Sequence, residues 1–373
     1  MKKILILTVV VLLAGVGVWK YKSEIVMPDK VLSGKPVVKI GATLPLTGNM
    51  ADVGLSGQQA VQMAYGKWKE ANTKYDYDLV IEDDALDAKR VALVANKFIN
   101  IDHVNAILTM FSTGSNVVSP VANNKKIIHV TCSYGSQPAE GFYNFNNHTQ
   151  YEENAKALIA KLKERGIKSI SLFNQNNIGS LQQGEVLTDM LEKDGSIKIL
   201  ANETFNLDIR DFTMIINKAL SYGKPDIFYF SGLSPSTLIF AKNLKTVTGE
   251  LKLTTINDFT KYNDKTPFNG LWFVESAYGT PDFIKKFGDI YNAEPLNCGS
   301  NMYDNLDILI WAFENTAPRP GDAVPHSDDV VKTIHSIKNW QGAVGNISVD
   351  EAGIMQSKAS IKIVKDGKVV VEE

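Results

Sequence analysis

From Val37 onward, short apolar runs alternate with stretches in which apolar residues return every three or four positions. Val37 to Leu44 is largely apolar and of strand length, and it predicts a buried strand. Leu55, Val61, Ala64, Tyr65 and Trp68 then fall on one helical face. Tyr77 to Glu82 and Asp87 to Ile101 repeat this strand–helix pair. A strand at Val104 to Thr109, a helix from near Thr113 and a strand at Ile127 to Thr131 follow. The rhythm then restarts. Ala155, Leu158, Ile159 and Leu162 mark a helix that Gly166 closes. Strands are expected at Ser169 to Phe173, Ile197 to Phe205, Asp226 to Phe230 and Lys252 to Ile256. Helices at Gln182 to Lys193, Phe212 to Tyr222 and Ser234 to Thr248 lie between them. Such alternation implies an α/β fold of parallel sheets with helices on both faces. Two such sets are present, each large enough for its own core.

The last third has a strand at Leu271 to Glu275 and helices at Pro281 to Tyr291, Ser300 to Asn315 and Asp328 to Asn339. Short strands follow at Ile347 to Asp350, Ser360 to Val364 and Lys368 to Val371. Asp366-Gly367 between two apolar runs predicts a two-residue hairpin. At the other end, Lys2 and Lys3 precede an uncharged apolar run from Ile4 to Val18. This reads as a secretory signal or a retained anchor, and either way exports the body to the periplasm or the outer face of the cytoplasmic membrane. Val16 stands where lipid attachment would need a cysteine. Trp19 and Tyr21 suit a membrane interface. Residues 1–22 are thus the leader or anchor, and 23–35 a polar tether.

The chain has 373 residues, room for two or three domains. Its net charge of -2 argues against a nucleic-acid binder. The two cysteines, Cys132 and Cys298, lack metal-type spacing and could form one disulfide if geometry allows. Catalysis needs a reactive group with a base nearby. His129 and Cys132 are the nearest approach to that, but three positions apart on a strand they point to opposite faces. The five histidines are scattered, and neither a metal nor another cofactor is called for. A dinucleotide site would want G-x-G-x-x-G after the first strand, where Leu46-Thr47-Gly48-Asn49-Met50 stands instead. The loop from Pro45 to Asn49 is therefore a binding mouth at the carboxyl end of a parallel strand, with no chemistry attached.

The order of motifs resembles the periplasmic substrate-binding proteins of the branched-chain amino acid class, which serve ATP-driven importers. Ile40-Gly41, Leu44-Pro45-Leu46-Thr47-Gly48, Gly54 and Gly57 match the opening signature of that family. Asp83-Asp84 with Ala88, Ala92 and Ala95, then Phe111-Ser112-Thr113-Gly114-Ser115, Tyr303-Asp304 and Lys365-Asp366-Gly367-Lys368 continue it. The resemblance implies two Rossmann-like lobes joined by a three-segment hinge, with ligand held between them. It implies a first lobe of residues 36–145 plus 272–333 and a second of 146–271 plus 334–373. The implied role is capture of a small amphipathic solute, an amino acid or related amide, for an ABC permease. A membrane-anchored sensor signalling through a partner protein is the alternative.

The candidate contacts follow. Ser112 and Thr113 sit where a strand becomes a helix, where hydroxyls and free N–H groups cap the helix or hold an anion. By family position that anion is the ligand's α-carboxylate. The loop Ser133-Tyr134-Gly135-Ser136 would serve the same carboxylate. Asp258, after the strand ending at Ile256, would pair with the ligand's ammonium. Thr149 faces the cleft or caps the following helix. Two departures are evident: Ile178 replaces the usual tyrosine of the second lobe, and Gly232-Leu233-Ser234-Pro235 lacks its usual aromatic. An aromatic wall is missing there, which leaves the ligand's identity open.

Overall fold

The structure, a computed structural model, describes residues 34–373 apart from 136–138, 207, 233, 258, 260, 261, 263 and 373. The leader or anchor and the tether expected at 1–33 lie outside the described residues. Among the described residues, no helix is long and apolar enough to cross a membrane.

The first sheet consists of β1 (Val37–Leu44), β2 (Asp76–Asp83), β3 (Ala106–Met110), β4 (Ile128–Cys132) and β5 (Asn144–Asn146), in the order β2-β1-β3-β4-β5. Every pairing in it is parallel. β3 and β4 are buried at every position, as a sheet covered on both faces requires. The covering helices are α1 (Ala51–Lys69), α2 (Ala88–Lys97) and α3 (Phe111–Lys125). α2 ends in a wider turn, Phe98–Asp102, stopped by left-handed His103.

The second sheet follows α4 (Tyr151–Glu164) and contains β6 (Ser169–Gln175), β7 (Lys198–Phe205), β8 (Ile227–Ser231) and β9 (Leu253–Thr255), in the order β7-β6-β8-β9. It too is parallel throughout, though a register shift interrupts β6–β7 at Ile170/Ser171. α5 (Ile178–Asp194), α6 (Thr213–Ser221) and α7 (Ser236–Thr248) connect its strands. One core there is aromatic: Phe173, Phe205, Phe212, Phe230 and Phe240 are buried with ring centroids 4.6–5.8 Å apart. Truncating such a ring to alanine costs about 3–5 kcal/mol.

The remainder crosses back and forth. β10 (Trp272–Glu275) pairs with β14 (Ser360–Lys365), which pairs with β15 (Lys368–Val371). The β14–β15 turn is Asp366-Gly367, both at positive φ (50° and 70°), the primed turn that the dipeptide predicts. α8 (Pro281–Tyr291), α9 (Gly299–Asn315) and α10 (Ser327–His335) precede β11 (Trp340–Gly342), β12 (Gly345–Val349) and β13 (Met355–Gln356). Ile337, Val344, Ile347, Val349 and Met355 share one core with β1, β3 and β4, together with Met302, Leu306 and Leu309 of α9. Trp272 and Val274 join the core of β6 and β8. The packing thus differs from the expected division at two places. Residues 272–275 side with the second sheet because β10 extends it through a bridge between Ile256 and Val274. Residues 337–355 side with the first because their apolar side chains complete its core.

Candidate functional site

Strand order reverses between β1 and β3 in one sheet and between β6 and β8 in the other. These are the switch points outside which open α/β sheets form their crevices. At the first, the loop after β1 is stapled by Asp83. Its carboxylate accepts from Leu46 N (2.9 Å), Thr47 N (3.1 Å), Thr47 Oγ1 (2.6 Å) and Ala85 N (2.9 Å). Burial opposes ionisation of Asp83, but the hydrogen bonds from Thr47, Ala85 and Leu46 outweigh it and hold the carboxyl below its ordinary range. Asp84 is buried, accepts from Thr43 Oγ1 at 2.8 Å, and is pushed upward by that burial. The acidic strand end therefore builds the mouth. Two signature glycines have the same structural purpose. A Cβ on Gly54 would lie 2.0 Å from Pro45 O, and one on Gly57 would lie 2.4 Å from Met110 Sδ. Only glycine at position 54 lets α1 seat so close to the backbone of the loop, while a side chain at 57 would have to displace the Met110 thioether of β3.

Beside it, Phe111 turns β3 into α3 with a left-handed φ of 62°. A non-glycine residue there stores strain, a feature that clusters at ligand clamps. The turn brings Ser112 to β4: Ser112 Oγ lies 3.1 Å and Ser115 Oγ 3.2 Å from Ser133 Oγ. Ser133 is fully buried. Thr113 is half-buried, and its hydroxyl has no hydrogen-bond partner among the described residues. Asn146 at the end of β5 braces the loop, accepting from Ser133 N (3.0 Å) and donating to Ser133 O (3.0 Å) and Gly135 O (2.8 Å). Ser112, Ser133, Tyr134 and Gly135 thus come together; Ser136 lies outside the described residues.

Tyr134 leaves this loop toward the second sheet. Its ring packs on His148 at 4.2 Å and stacks on Tyr151 at 5.7 Å, and its hydroxyl accepts from Asn297 Nδ2 at 3.3 Å. Tyr151 opens α4, and its hydroxyl would lie 3.8 Å from a Cβ on Gly179, in the first turn of α5. One aromatic ladder therefore spans from the loop after β4 to the helix after β6. Burial raises the Tyr151 hydroxyl well above its ordinary pKa, with Tyr134 and Glu152 adding to the shift. Beneath the loop, Cys132 and Cys298 form a disulfide across 166 residues. The pairing left open by the sequence is thereby settled. His148 lies beside it, and one of its nitrogens and the two sulfurs all lie within 4.8 Å of one another.

At the second switch point the chemistry is amide and hydroxyl. Asn177 caps α5, accepting from Ser180 N at 3.0 Å and donating to Gln175 Oε1 at 3.1 Å. Gln183 Oε1 accepts from Tyr229 OH (2.8 Å) and Ser231 Oγ (2.9 Å), and Gln175 Nε2 donates to Ser236 Oγ (3.2 Å). Asn257, two residues past the end of β9, is bonded to Ser276; Asp258 lies outside the described residues.

Thr149 sits elsewhere. It is buried where three crossing segments meet, accepting from Ala277 N at 3.0 Å and paired with Ser357 Oγ at 2.9 Å. Its hydroxyl is committed to holding those segments together, and it does not cap α4, whose first residue follows Gln150. His129 is likewise structural. It lies 2.9 Å from Thr109 Oγ1 and 2.8 Å from Asn144 Oδ1, and burial, partly opposed by the Asn144 bond, pulls it down to about 4. Tyr151, His148 and Asn297 were not among the candidates from sequence. The aromatic pair Tyr134 and Tyr151, one just after a strand and the other at the start of a helix, was the available signal.

Comparison with known proteins agrees with this geometry. No curated protein sequence matches the chain. Among solved structures it is similar to a leucine-binding protein of Thermotoga maritima, with 22% identity, a TM-score of 0.70, and coverage of 90% of this chain and 98% of that one. It is similar to a solute-binding protein of an ABC transporter from Rhodopseudomonas palustris in complex with 3,4-dihydroxybenzoic acid, with 17% identity, a TM-score of 0.72 and coverage of 89% and 95%. An ABC transporter substrate-binding protein from Desulfitobacterium hafniense in complex with leucine gives 17%, 0.72, 90% and 100%. These likenesses establish the two-lobed fold. The periplasmic binding protein model matches residues 37–368, nearly the whole described body, and the chain belongs to that family.

Proposed function

We propose that this protein is an exported solute receptor that traps a small amphipathic carboxylate between its lobes and presents it to an ABC permease. The observation that carries the reading is the Tyr134–Tyr151–Gly179 ladder, which joins the two switch points across the interlobe gap. The ligand's carboxylate is received by Ser112, Thr113 and the N–H groups opening α3, with the Ser133–Ser136 loop beside them. An amino acid or related amide is the favoured ligand class, with Asp258 meeting its ammonium. Leucine and 3,4-dihydroxybenzoate, bound by two of the similar proteins, share a carboxylate and an apolar body. Tyr134 and Tyr151 supply the apolar wall that Ile178 and the loop before Pro235 lack in sequence.

The lobes take residues 36–147 plus 277–355 and residues 150–276 plus 358–372, a division supported by which core each apolar segment joins. Thr149, Ser357 and the Ser276–Ala277 step then form the hinge. Ligand contacts both lobes only in the closed form, so it stabilises that form by its differential affinity. The family and the apolar run at Ile4 to Val18 support an exported location, with the run as leader or anchor.

The test is a thermal-shift panel of amino acids, amides and aromatic carboxylates. One class should raise the melting temperature. Ser112→Ala should reduce that rise for any carboxylate, and Asp258→Ala only for ligands carrying an amine. A panel in which no carboxylate stabilises the protein, or in which any compound is turned over, refutes the reading. Equal stabilisation of wild type and Asp258→Ala by amino acids refutes the ammonium assignment alone.

A further inference from the structure

We propose that reduction of the Cys132–Cys298 disulfide creates a buried Cu(I) site formed by the two thiolates and His148. The three residues come from separate elements: the end of β4, the residue before α9, and the crossing segment before α4. Nothing in their sequence spacing predicts a cluster, yet their donor atoms all lie within 4.8 Å of one another and all three residues are buried. Donor atoms ~2.0–2.3 Å from a shared cation in a trigonal array stand about 4 Å apart. The two sulfurs, bonded at 2.10 Å in the disulfide, must therefore part by about 2 Å on reduction.

His148 has the arrangement of a metal-ligating imidazole. Its Nδ1 lies 2.9 Å from Thr149 O. A carbonyl only accepts, so the ring proton sits on Nδ1 and Nε2 carries the lone pair. Metal-bound histidines are typically oriented in this way by a backbone carbonyl. The Tyr134 ring at 4.2 Å holds the imidazole from one side. Among the described residues the cluster offers three donors and no fourth. Structural zinc takes four ligands, whereas two thiolates with one imidazole in a water-poor pocket suit Cu(I).

The chemistry balances as follows. An external dithiol donates two electrons and two protons to the disulfide, giving two protein thiols and an oxidised dithiol. Cu(I) then displaces both thiol protons and binds without changing its own oxidation state. Reoxidation by an external disulfide, which takes up the two electrons and two protons and leaves as its dithiol, re-forms the Cys132–Cys298 bond and expels Cu(I). The occupied site re-creates the link between β4 and α9 that reduction breaks, directly behind the Tyr134 loop.

The experiment is anaerobic competition for Cu(I) against a chromophoric Cu(I) chelator. It uses oxidised wild type, dithiol-reduced wild type freed of reductant, and reduced Cys298→Ser and His148→Gln variants. Reduced wild type should take up one Cu(I) per chain, and oxidised wild type none. Cys298→Ser should lose uptake, and His148→Gln should bind at least tenfold more weakly. Cu(I) should also raise the melting temperature of the reduced wild type. Absence of uptake by the reduced wild type, equal uptake by the oxidised form, or undiminished affinity in His148→Gln overturns the proposal. The oxidised–reduced comparison uses a single sequence, so it stands even if a variant fails to fold.

Discussion

The disulfide closes a loop over a sequence separation of 166 residues, and that loop contains the whole second sheet, β6 to β9. Reducing it frees that long excursion in the unfolded chain. On the chain-entropy estimate, which gives about 4.7 kcal/mol for a loop of about 100 residues and grows slowly with length, the cross-link is worth about 5 kcal/mol. Reduced wild type is the cleaner perturbation. Cys132 and Cys298 are both buried, so serine at these positions would add the cost of burying hydroxyls. Urea unfolding should be followed with and without a dithiol, with a free-thiol titration to establish each state. If unfolding is two-state with a slope of about 3 kcal/mol per M, the midpoint should fall by roughly 1.5 M on reduction. A double Cys132→Ala/Cys298→Ala variant should fall at least as far and should not respond to dithiol. Coincident midpoints for the oxidised and reduced wild type, with the thiol titration confirming both states, would refute the argument.

Four further outcomes follow from the site. Tyr151→Ala should weaken binding of the stabilising ligand by up to about tenfold, the scale of an aromatic pairing lost beyond simple area burial, as read by isothermal titration. Asp83→Ala removes four hydrogen bonds from the first mouth loop; bonds to a charged group contribute about 1.5–3 kcal/mol each when lost singly, so the variant should lose at least about 2 kcal/mol and admit protease between Pro45 and Met50. Thr149→Val strips the acceptor from Ala277 N at the crossing; it should cost about 1–3 kcal/mol and change the open–closed balance, seen as a shift in the ligand-dependent change in scattering radius. His129 is held down to about 4 from 6.5, so the unfolded chain takes the proton first; stability complete above pH 6.5 is lost as pH falls toward 4, and His129→Gln should flatten that slope by up to about 1.4 kcal/mol per pH unit in urea titrations.

What could be read from the chain divides by distance along it. β1, α8 and the β14–β15 hairpin were legible because each rests on neighbours: an apolar run of strand length, apolar residues at helical spacing, or a turn dipeptide. The positions of the first mouth loop and of Ser112 at strand ends were legible because a parallel strand's carboxyl end is itself a local pattern. β5 escaped because Asn144-Phe145-Asn146 has three residues and two amides, and its strand character comes from pairing with β4. The start of α4 was legible to within a residue or two, because Thr149 reads as a cap before it; the burial of Tyr151 was not, because its partners lie outside the helix.

The same division accounts for the surroundings of Thr149. Thr149 stands before a helix, and from sequence alone a cap and a cleft contact were equally good readings. Its actual partners, Ala277 and Ser357, lie 128 and 208 residues away. Such a residue is defined by the crossing of chain segments, and no local pattern records a crossing. His148 and Cys298 are alike in this, brought to Cys132 by the same fold-back that places α9 on the first sheet. On the proposed reading, the groups assigned to the ligand sit at strand ends and leave local traces, whereas Thr149, His148 and Cys298 answer to distant partners. The groups proposed here for hinge and redox roles sit where distant segments meet, and they become visible only once the chain is folded.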